Sequence, residues 1–471
     1  MLLIGFFNTY DSIKYGIDKK KRPYYGFTPL YGKFQKVKIT YSGKQKGKLL
    51  CQIIVNDINN NFPTGQIINL IGTYSTDNIL NLLKLDSEQK YLPSEININN
   101  KIILDEYKND FVTIDPENSS DIDDGFYLNY PQLDVIIACP FYFLNKTQII
   151  EKYKQSVSTR YYSQTNHLWG NELNQKASLL QNNKTVLMVL HYCLINYTYQ
   201  IKFYQGTNKH QLTYEQFDTC TNYNKWKELL KKHFNFTNSK ELVQEIMILT
   251  NKKFTDFLEL HQAPILYRKF IINHNFDIYN LDKNIKDIFN QRKSDSAEYT
   301  LIKSSHELLK GCYSHFTSPL RRWVDCYHQM LLWQIIHNQS ILENKLDIIL
   351  INHKFTKIKK FHREYQYLIQ NQSLNINDLL YNGFIFNIRK NYLDVWCPEI
   401  NRFIKVEFIH QKLLFQLNII QKEHSWEISN KIYSDKNIIY SIGDKITFYL
   451  IKSGHILPSK YIMGKLDNNP L

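Results

Sequence analysis

Two stretches of the chain alternate apolar and polar residues, and between them lies a longer region of helical spacing. In the first stretch, Met1 to Phe7 is an apolar run that reads as a strand, and Lys33 to Tyr41 and Leu49 to Val55 follow the two-residue period of half-buried strands. Asn59 to Gly65 has turn chemistry and leads into a further strand, Gln66 to Ile71. In the last stretch, Asn382 to Ile388, Leu393 to Glu399 and Gly443 to Leu450 repeat the strand pattern and suggest a five-stranded barrel. Between them, Leu320, Trp323, Val324, Tyr327 and Leu331 recur at three- and four-residue intervals. That spacing predicts a buried helix, with Ser318 as its N-cap and Pro319 at its first position. Asp347 to Gln372 reads as a polar helix leading to the last stretch. The pattern predicts an α+β chain in three parts, residues 1–105, 106–372 and 373–471, with no internal repeat.

Charge narrows the choice only slightly. The 471 residues carry a formal charge of +14 and an isoelectric point near 9.1, as suits a protein that handles a polyanion. The abundance of Asn, Ile, Lys and Tyr would also follow from an A/T-rich genome, so charge alone decides little. Seven cysteines are scattered without a C-x-x-C pair, which argues against a zinc ribbon or a disulfide framework and for reduced thiols. No apolar run is long enough to span a membrane, and the opening residues lack a basic leader. A soluble, intracellular monomer is expected.

The chemistry is concentrated in Phe111 to Phe126, where Asp115, Asp121, Asp123 and Asp124 fall within ten residues. Four ionised carboxylates in one compact site repel one another and require compensating positive charge. Oxygen ligands without His or Cys favour magnesium, or manganese, over zinc. An EF-hand beginning at Asp121 is excluded, because its sixth and twelfth positions would be Phe126 and Gln132 instead of Gly and Glu. A solvated Asp-rich turn remains the bland alternative.

The string T-I-D-P-x-x-x-x-D-x-D-D, ending at Asp124, resembles the signature of the ribonuclease II / ribonuclease R family, which includes the exosome's hydrolytic exonuclease subunit. Tyr313-Ser314-His315-Phe316-Thr317-Ser318-Pro319-Leu320-Arg321-Arg322-Trp323-Val324-Asp325 resembles a second block of that family, in the family's order. Weaker matches lie between them: Leu242 to Asn251 with Glu245 and Asn251 retained, Ala263 to Arg268, Ala297 to Tyr299, and Ala177-Ser178-Leu179 after the family's RNA-stacking loop. In that loop either Tyr161 or Tyr162 would stack on a base, and a plain core tyrosine is an equal alternative for each. Phe62 to Gly72 resembles the family's cold-shock fold, with room for one such domain, and the last part resembles its C-terminal OB fold.

The resemblance implies a central RNB-type catalytic domain flanked by a cold-shock-like barrel and an OB barrel. It implies a processive 3′→5′ exoribonuclease that takes single-stranded RNA and releases nucleoside 5′-monophosphates. Asp115, Asp121, Asp123 and Asp124 would hold one or two Mg²⁺ ions, or Mn²⁺. Asp123, Asp124 and Arg321 would be catalytic, and Arg321, Arg322, His315, Glu245 and a loop tyrosine would bind RNA. Physically, a helix N-terminus with Arg321 makes an anion site, while a surface pair between Arg321 and Asp325 is the structural alternative.

Departures from the family pattern leave a second possibility, a catalytically inactive RNA-binding scaffold. Cys139 replaces an acid, Gln329 stands where His is usual with His328 one residue early, and the later R-M-A-E-R-D helix survives only as Lys360 to Glu364, with His362 inside it.

Overall fold

The computed structural model describes residues 2–31, 36–55, 63–87, 103–162, 165–272, 281–293, 297–341, 346–374, 376, 379–389, 392–407, 417–421, 425–430, 437–453 and 458–466. The turn residues Asn59 to Phe62 and the strand start Lys33 to Gln35 lie outside these. The chain divides into two compact units. One comprises residues 1–88, 274–293 and 359–471, and the other 89–273 and 294–358. Both barrels therefore belong to one unit.

In the barrel-bearing unit, strands β1 (Leu2–Asn8), β2 (Tyr24–Pro29), β3 (Val37–Thr40), β4 (Lys48–Val55) and β5 (Thr64–Thr73) close in the order β1-β2-β3-β5-β4. Alternate residues point inward, and Phe7, Phe27, Ile39, Leu49, Cys51 and Ile53 fill the interior with no exposed surface.

The second unit is built on a six-stranded sheet of β6 (Val112–Asp115), β7 (Asp124–Asn129), β8 (Gln132–Ala138), β9 (Lys184–Cys193), β10 (Tyr199–Thr207) and β11 (His210–Thr213). Its order is β10-β9-β8-β7-β6-β11, antiparallel except where β11 runs parallel to β6. The near-continuous apolar runs of β8 and β9 are buried, as expected for strands covered on both faces. A short ribbon of β12 (Tyr267–Lys269) and β13 (Glu298–Thr300) completes the strands of this unit. The helix Trp323–Ile336 is buried from Trp323 to Gln334, including the predicted stripe.

That helix begins four residues later than its sequence signals suggest. Arg322 is its N-cap, and Ser318 to Arg321 form a turn instead. Carboxylates claim the turn's amides: Ser318 N–H donates to Asp325 (2.8 Å) and Leu320 N–H to Asp123 (2.9 Å). Trp323 N–H donates to the Val157 carbonyl (2.9 Å). Tertiary hydrogen bonds override the local N-cap preference here.

The barrel-bearing unit's other barrel uses β14 (Leu380–Ile388), β15 (Tyr392–Cys397) and β16 (Arg402–Glu407), followed by a three-stranded sheet of β17 (Leu417–Gln421), β18 (Ser425–Asn430) and β19 (Asn437–Ser441). Strands β20 (Lys445–Lys452) and β21 (Ile462–Leu466) close it in the order β14-β15-β16-β21-β20. Both barrels thus share one first-second-third-fifth-fourth order, that of an OB-type fold.

Several aromatics of the last barrel are covered. The helix Lys283–Lys293 covers them, with Phe289 fully buried and its ring 5.0 Å from that of Phe386. Trp396 is buried in the same cluster, and Phe384 and Phe403 are half-buried against it. The predicted polar helix is present as Ile348–Ser373. Among the described residues no helix is long and apolar enough to cross a membrane.

Candidate RNA-cleavage site

Strand pairing gathers the acids. β6 ends at Asp115 and its antiparallel neighbour β7 begins at Asp124, so the connection between them carries Asp121 and Asp123 beside both strand ends. Gly125 permits the close approach of this hairpin to Phe111, because a Cβ there would lie 2.8 Å from the Phe111 ring. Ser178, from the small-Ser-Leu step, fixes the connection by accepting the Ile122 N–H (3.0 Å), and Leu179 N–H donates to the Ile122 carbonyl (3.0 Å).

The Ser318–Arg321 turn meets this connection. Trp169 Nε1–H donates to the Pro319 carbonyl (2.8 Å), while the Ser158 hydroxyl (2.7 Å) and the Thr159 N–H (3.0 Å) hold the Arg321 carbonyl. So anchored, Arg321 donates from Nε to Asp123 (3.2 Å) and from Nη2 to the Ser318 hydroxyl (3.0 Å). The surface pair of Arg321 with Asp325 does not form. Arg322 takes that partner instead, at 2.9 Å. The first amide of the helix is bonded to the Val157 carbonyl. The more exposed positive group of the site is Arg321, whose side chain is 46% exposed against 23% for Arg322.

A cavity of about 490 Å³ brings together Asp115, Asp121, Asp123, Asp124, Tyr161, His315, Arg321 and Arg322. Two expected residues are absent from its lining. Tyr162 lines a separate cavity of about 940 Å³. Glu245 sits on the helix Ser239–Leu260, which lines the site cavity with Val243, Gln244, Met247, Ile248 and Asn251.

Burial sets the electrostatics. It pushes Asp123 up to about 8, against the pull of Arg321 and the Leu320 amide. Burial and mutual repulsion raise Asp115 and Asp124, with Arg321 opposing. Burial also works to raise Asp121, but hydrogen bonds from His167, Tyr161 and Asn174 outweigh it and hold that carboxylate below its usual range. His315 is driven well below its ordinary value by burial and by Arg322 and Arg268, so it is a neutral ring, with Nδ1 2.7 Å from the Tyr299 hydroxyl. Burial works to lower Arg322, but Asp325 and two tyrosines raise it, so it stays charged.

The departures have structural explanations. Gln329 Nε2–H donates to the Ala138 carbonyl (2.8 Å) beneath the site. His328 accepts the Leu266 N–H (3.0 Å) and sits 2.9 Å from the His315 carbonyl, and burial lowers it to about 4. Cys139 is wholly buried, where an acid would need a partner. Glu364 is buried in the barrel-bearing unit, where it accepts the Ser459 N–H (2.9 Å).

Among the described residues no three acid, imidazole or thiol groups converge into a ready metal shell. The donor set still suits a hard divalent cation. Asp115 Oδ2 is buried without a hydrogen-bond partner, and burial holds three of the four acids above their usual range, where a cation would offset it.

Sequence reasoning missed His167, Asn174 and Tyr214, and it named Asn251 and Tyr313 in matched strings without giving either a role. Asn251 Nδ2–H donates to the Tyr313 hydroxyl (2.9 Å), and its Oδ1 accepts the Phe316 N–H (2.8 Å), which braces the second motif. Its place in the Leu242 to Asn251 match was the available signal.

Residues 230–338 match the RNB domain family model. No curated protein matches the chain. Among solved structures, the apo form of Mycoplasma genitalium RNase R is similar over 99% of this chain and 90% of its own, at 16% identity and a TM-score of 0.73. Yeast Ssd1, a pseudonuclease, is similar over 91% of this chain and 67% of its own, at 13% identity and TM-score 0.69. An active-site mutant of the Dss1 exoribonuclease from Candida glabrata is similar over 80% of this chain and 57% of its own, at 17% identity and TM-score 0.60. These likenesses establish the fold as that of RNase R.

Proposed function

Since the chain carries an RNB domain on an RNase R fold, we propose that it is a processive 3′→5′ hydrolytic exoribonuclease, releasing nucleoside 5′-monophosphates from single-stranded RNA. The observation that carries this reading is one cavity holding four aspartates beside a half-exposed arginine. Asp115, Asp121, Asp123 and Asp124 would hold Mg²⁺, or Mn²⁺, which when bound supplies an activated water and stabilises the departing 3′-oxygen.

The chain's own residues do the rest. Arg321 Nε now faces Asp123, and its planar fork suits the non-bridging oxygens of a phosphate. Moving from carboxylate to phosphate, it would neutralise charge that develops during in-line displacement. Its carbonyl stays pinned by Ser158 and Thr159, so only the side chain need move. Neutral His315 and the Tyr161 ring would flank the strand without adding charge. The enzyme would act as an intracellular monomer, and all seven cysteines are unpaired.

A second reading is an inactive RNA-binding scaffold. Asp123 already accepts from both Leu320 N–H and Arg321, and the fold is shared with a pseudonuclease.

The test is 5′-labelled single-stranded RNA with Mg²⁺. A ladder collapsing to a very short labelled product, slowed by a 3′-phosphate, is expected. Mid-length internal cuts would sink the exonuclease assignment.

A further inference from the structure

Of the four acids, Asp121 is the one that most side chains hold. It lies in the connection between β6 and β7 and is only 6% exposed. Three side chains from a later segment converge on it. The Tyr161 hydroxyl donates to Oδ2 (2.5 Å) and Asn174 Nδ2–H donates to Oδ1 (2.9 Å), while His167 Nδ1 lies 2.8 Å from Oδ1 without hydrogen-bond alignment, one small ring rotation from donating to it. The other acids are held more sparsely: Asp123 has the Leu320 amide and Arg321, and Asp115 retains a buried oxygen without a partner.

We infer that His167, with Tyr161 and Asn174, is a positioning residue that fixes the Asp121 carboxylate for cation binding. The inference rests on the exoribonuclease reading above. The segment is itself braced to hold His167 still. Arg160 and Asn166 exchange backbone hydrogen bonds (3.0 and 2.9 Å), Leu168 N–H donates to the Thr159 hydroxyl (3.0 Å), and Gly170 N–H reaches the His167 carbonyl (3.3 Å). Asn174, 2% exposed on the short helix Asn171–Ala177, turns its Nδ2 to Asp121 and to the Ser120 carbonyl (3.3 Å). That orientation leaves its own Oδ1 buried without a partner, a cost that serves Asp121. Outer-shell partners of this kind fix the ligand's orientation, and their loss weakens metal affinity by about 10–100-fold. Tyr161 then contributes through its hydroxyl, whatever its ring does for RNA.

The experiment is Mn²⁺ titration of the full chain without RNA, read as free Mn²⁺ by electron paramagnetic resonance. His167→Phe keeps a flat ring but no donor, and should weaken Mn²⁺ binding by about 10–100-fold. His167→Gln, which restores an N–H, should recover most of that loss. Tyr161→Phe should lose several-fold, and its ring is 37% exposed, so the fold is safe if His167→Phe does not fold. RNA affinity in EDTA should be unchanged in His167→Phe and His167→Gln. Wild-type Mn²⁺ affinity in both His167→Phe and Tyr161→Phe would overturn the positioning role alone, leaving the exoribonuclease reading standing. A loss of RNA affinity in EDTA that tracks the metal loss would overturn it too, as a merely structural role. A wild-type chain that binds no Mn²⁺ would overturn both.

Discussion

The two units of this chain divide its charge unequally. The barrel-bearing unit holds 31 Lys and Arg against 19 Asp and Glu, a formal +12. The sheet-bearing unit holds 27 against 25, a formal +2. Long-range attraction for a polyanion therefore belongs to the first, whereas the second gathers buried acids around Arg321. The barrels differ again within their unit. Residues 14–48 of the first carry eleven Lys and Arg against Asp18 alone. Several of the lysines lie near aromatic rings, as Lys48 does at 4.5 Å over Phe6. The other barrel spends its aromatic face on Phe289 of its own unit. One strand order thus serves two ends: a basic barrel and a socket for a helix.

If chemistry and affinity are separated in this way, substitutions should separate them too. Asp123→Asn is nearly isosteric and should reduce turnover by several orders of magnitude while RNA affinity is kept or improved. A fall in affinity parallel to activity, measured by filter binding, would join what we have separated.

Arg321→Lys should cost about 100-fold in single-turnover rate, because an ammonium cannot reproduce the planar fork. Affinity should change little and stay steeply salt-dependent. Undiminished turnover would return Arg321 to a structural role, pairing with Asp123.

Phe289→Ala would empty the socket and should destabilise the barrel-bearing unit by about 3–5 kcal/mol, read from urea unfolding. Tighter RNA binding by this variant would mean that the covered face is a nucleic-acid platform after all.

The smallest effect is on pH. Asp115, Asp123 and Asp124 sit above their usual range, so between about pH 4 and about pH 8 the folded chain binds more protons than the unfolded one. Their contribution to stability is therefore present at the acid end and is lost as pH rises through that window. Asp121, shifted down, acts in the opposite sense and below that window: its contribution to stability is kept above its ordinary range and lost as pH falls through its lowered value. In EDTA the thermal midpoint of the wild type should fall with rising pH more steeply than that of Asp124→Asn. Equal slopes would show that Asp124 does not titrate as its burial implies.

Much of the site was legible because its residues come as two contiguous strings, Thr113 to Asp124 and Tyr313 to Asp325. Local pattern also located the strands and the buried helix stripe. It failed wherever distant groups decide. Ser318 looks like an N-cap, yet its amide belongs to Asp325 and that of Leu320 to Asp123, so the helix starts at Trp323. Tyr161 and Tyr162 are neighbours with the same local chemistry, and only the fold sends one to Asp121 and the other to a separate cavity. His167 and Asn174 had no motif to mark them, because their partner lies far back in the chain. Aromatic strands in the last barrel look alike whether they face RNA or Phe289.

The most direct measurement follows the first product released from 3′-end-labelled single-stranded RNA by the wild-type chain, in Mg²⁺, Mn²⁺ or EDTA. An acting exoribonuclease should yield labelled nucleoside 5′-monophosphate from the first turnover with either metal and none in EDTA. RNA that stays bound but intact in both metals would contradict it and leave a scaffold built on the same fold.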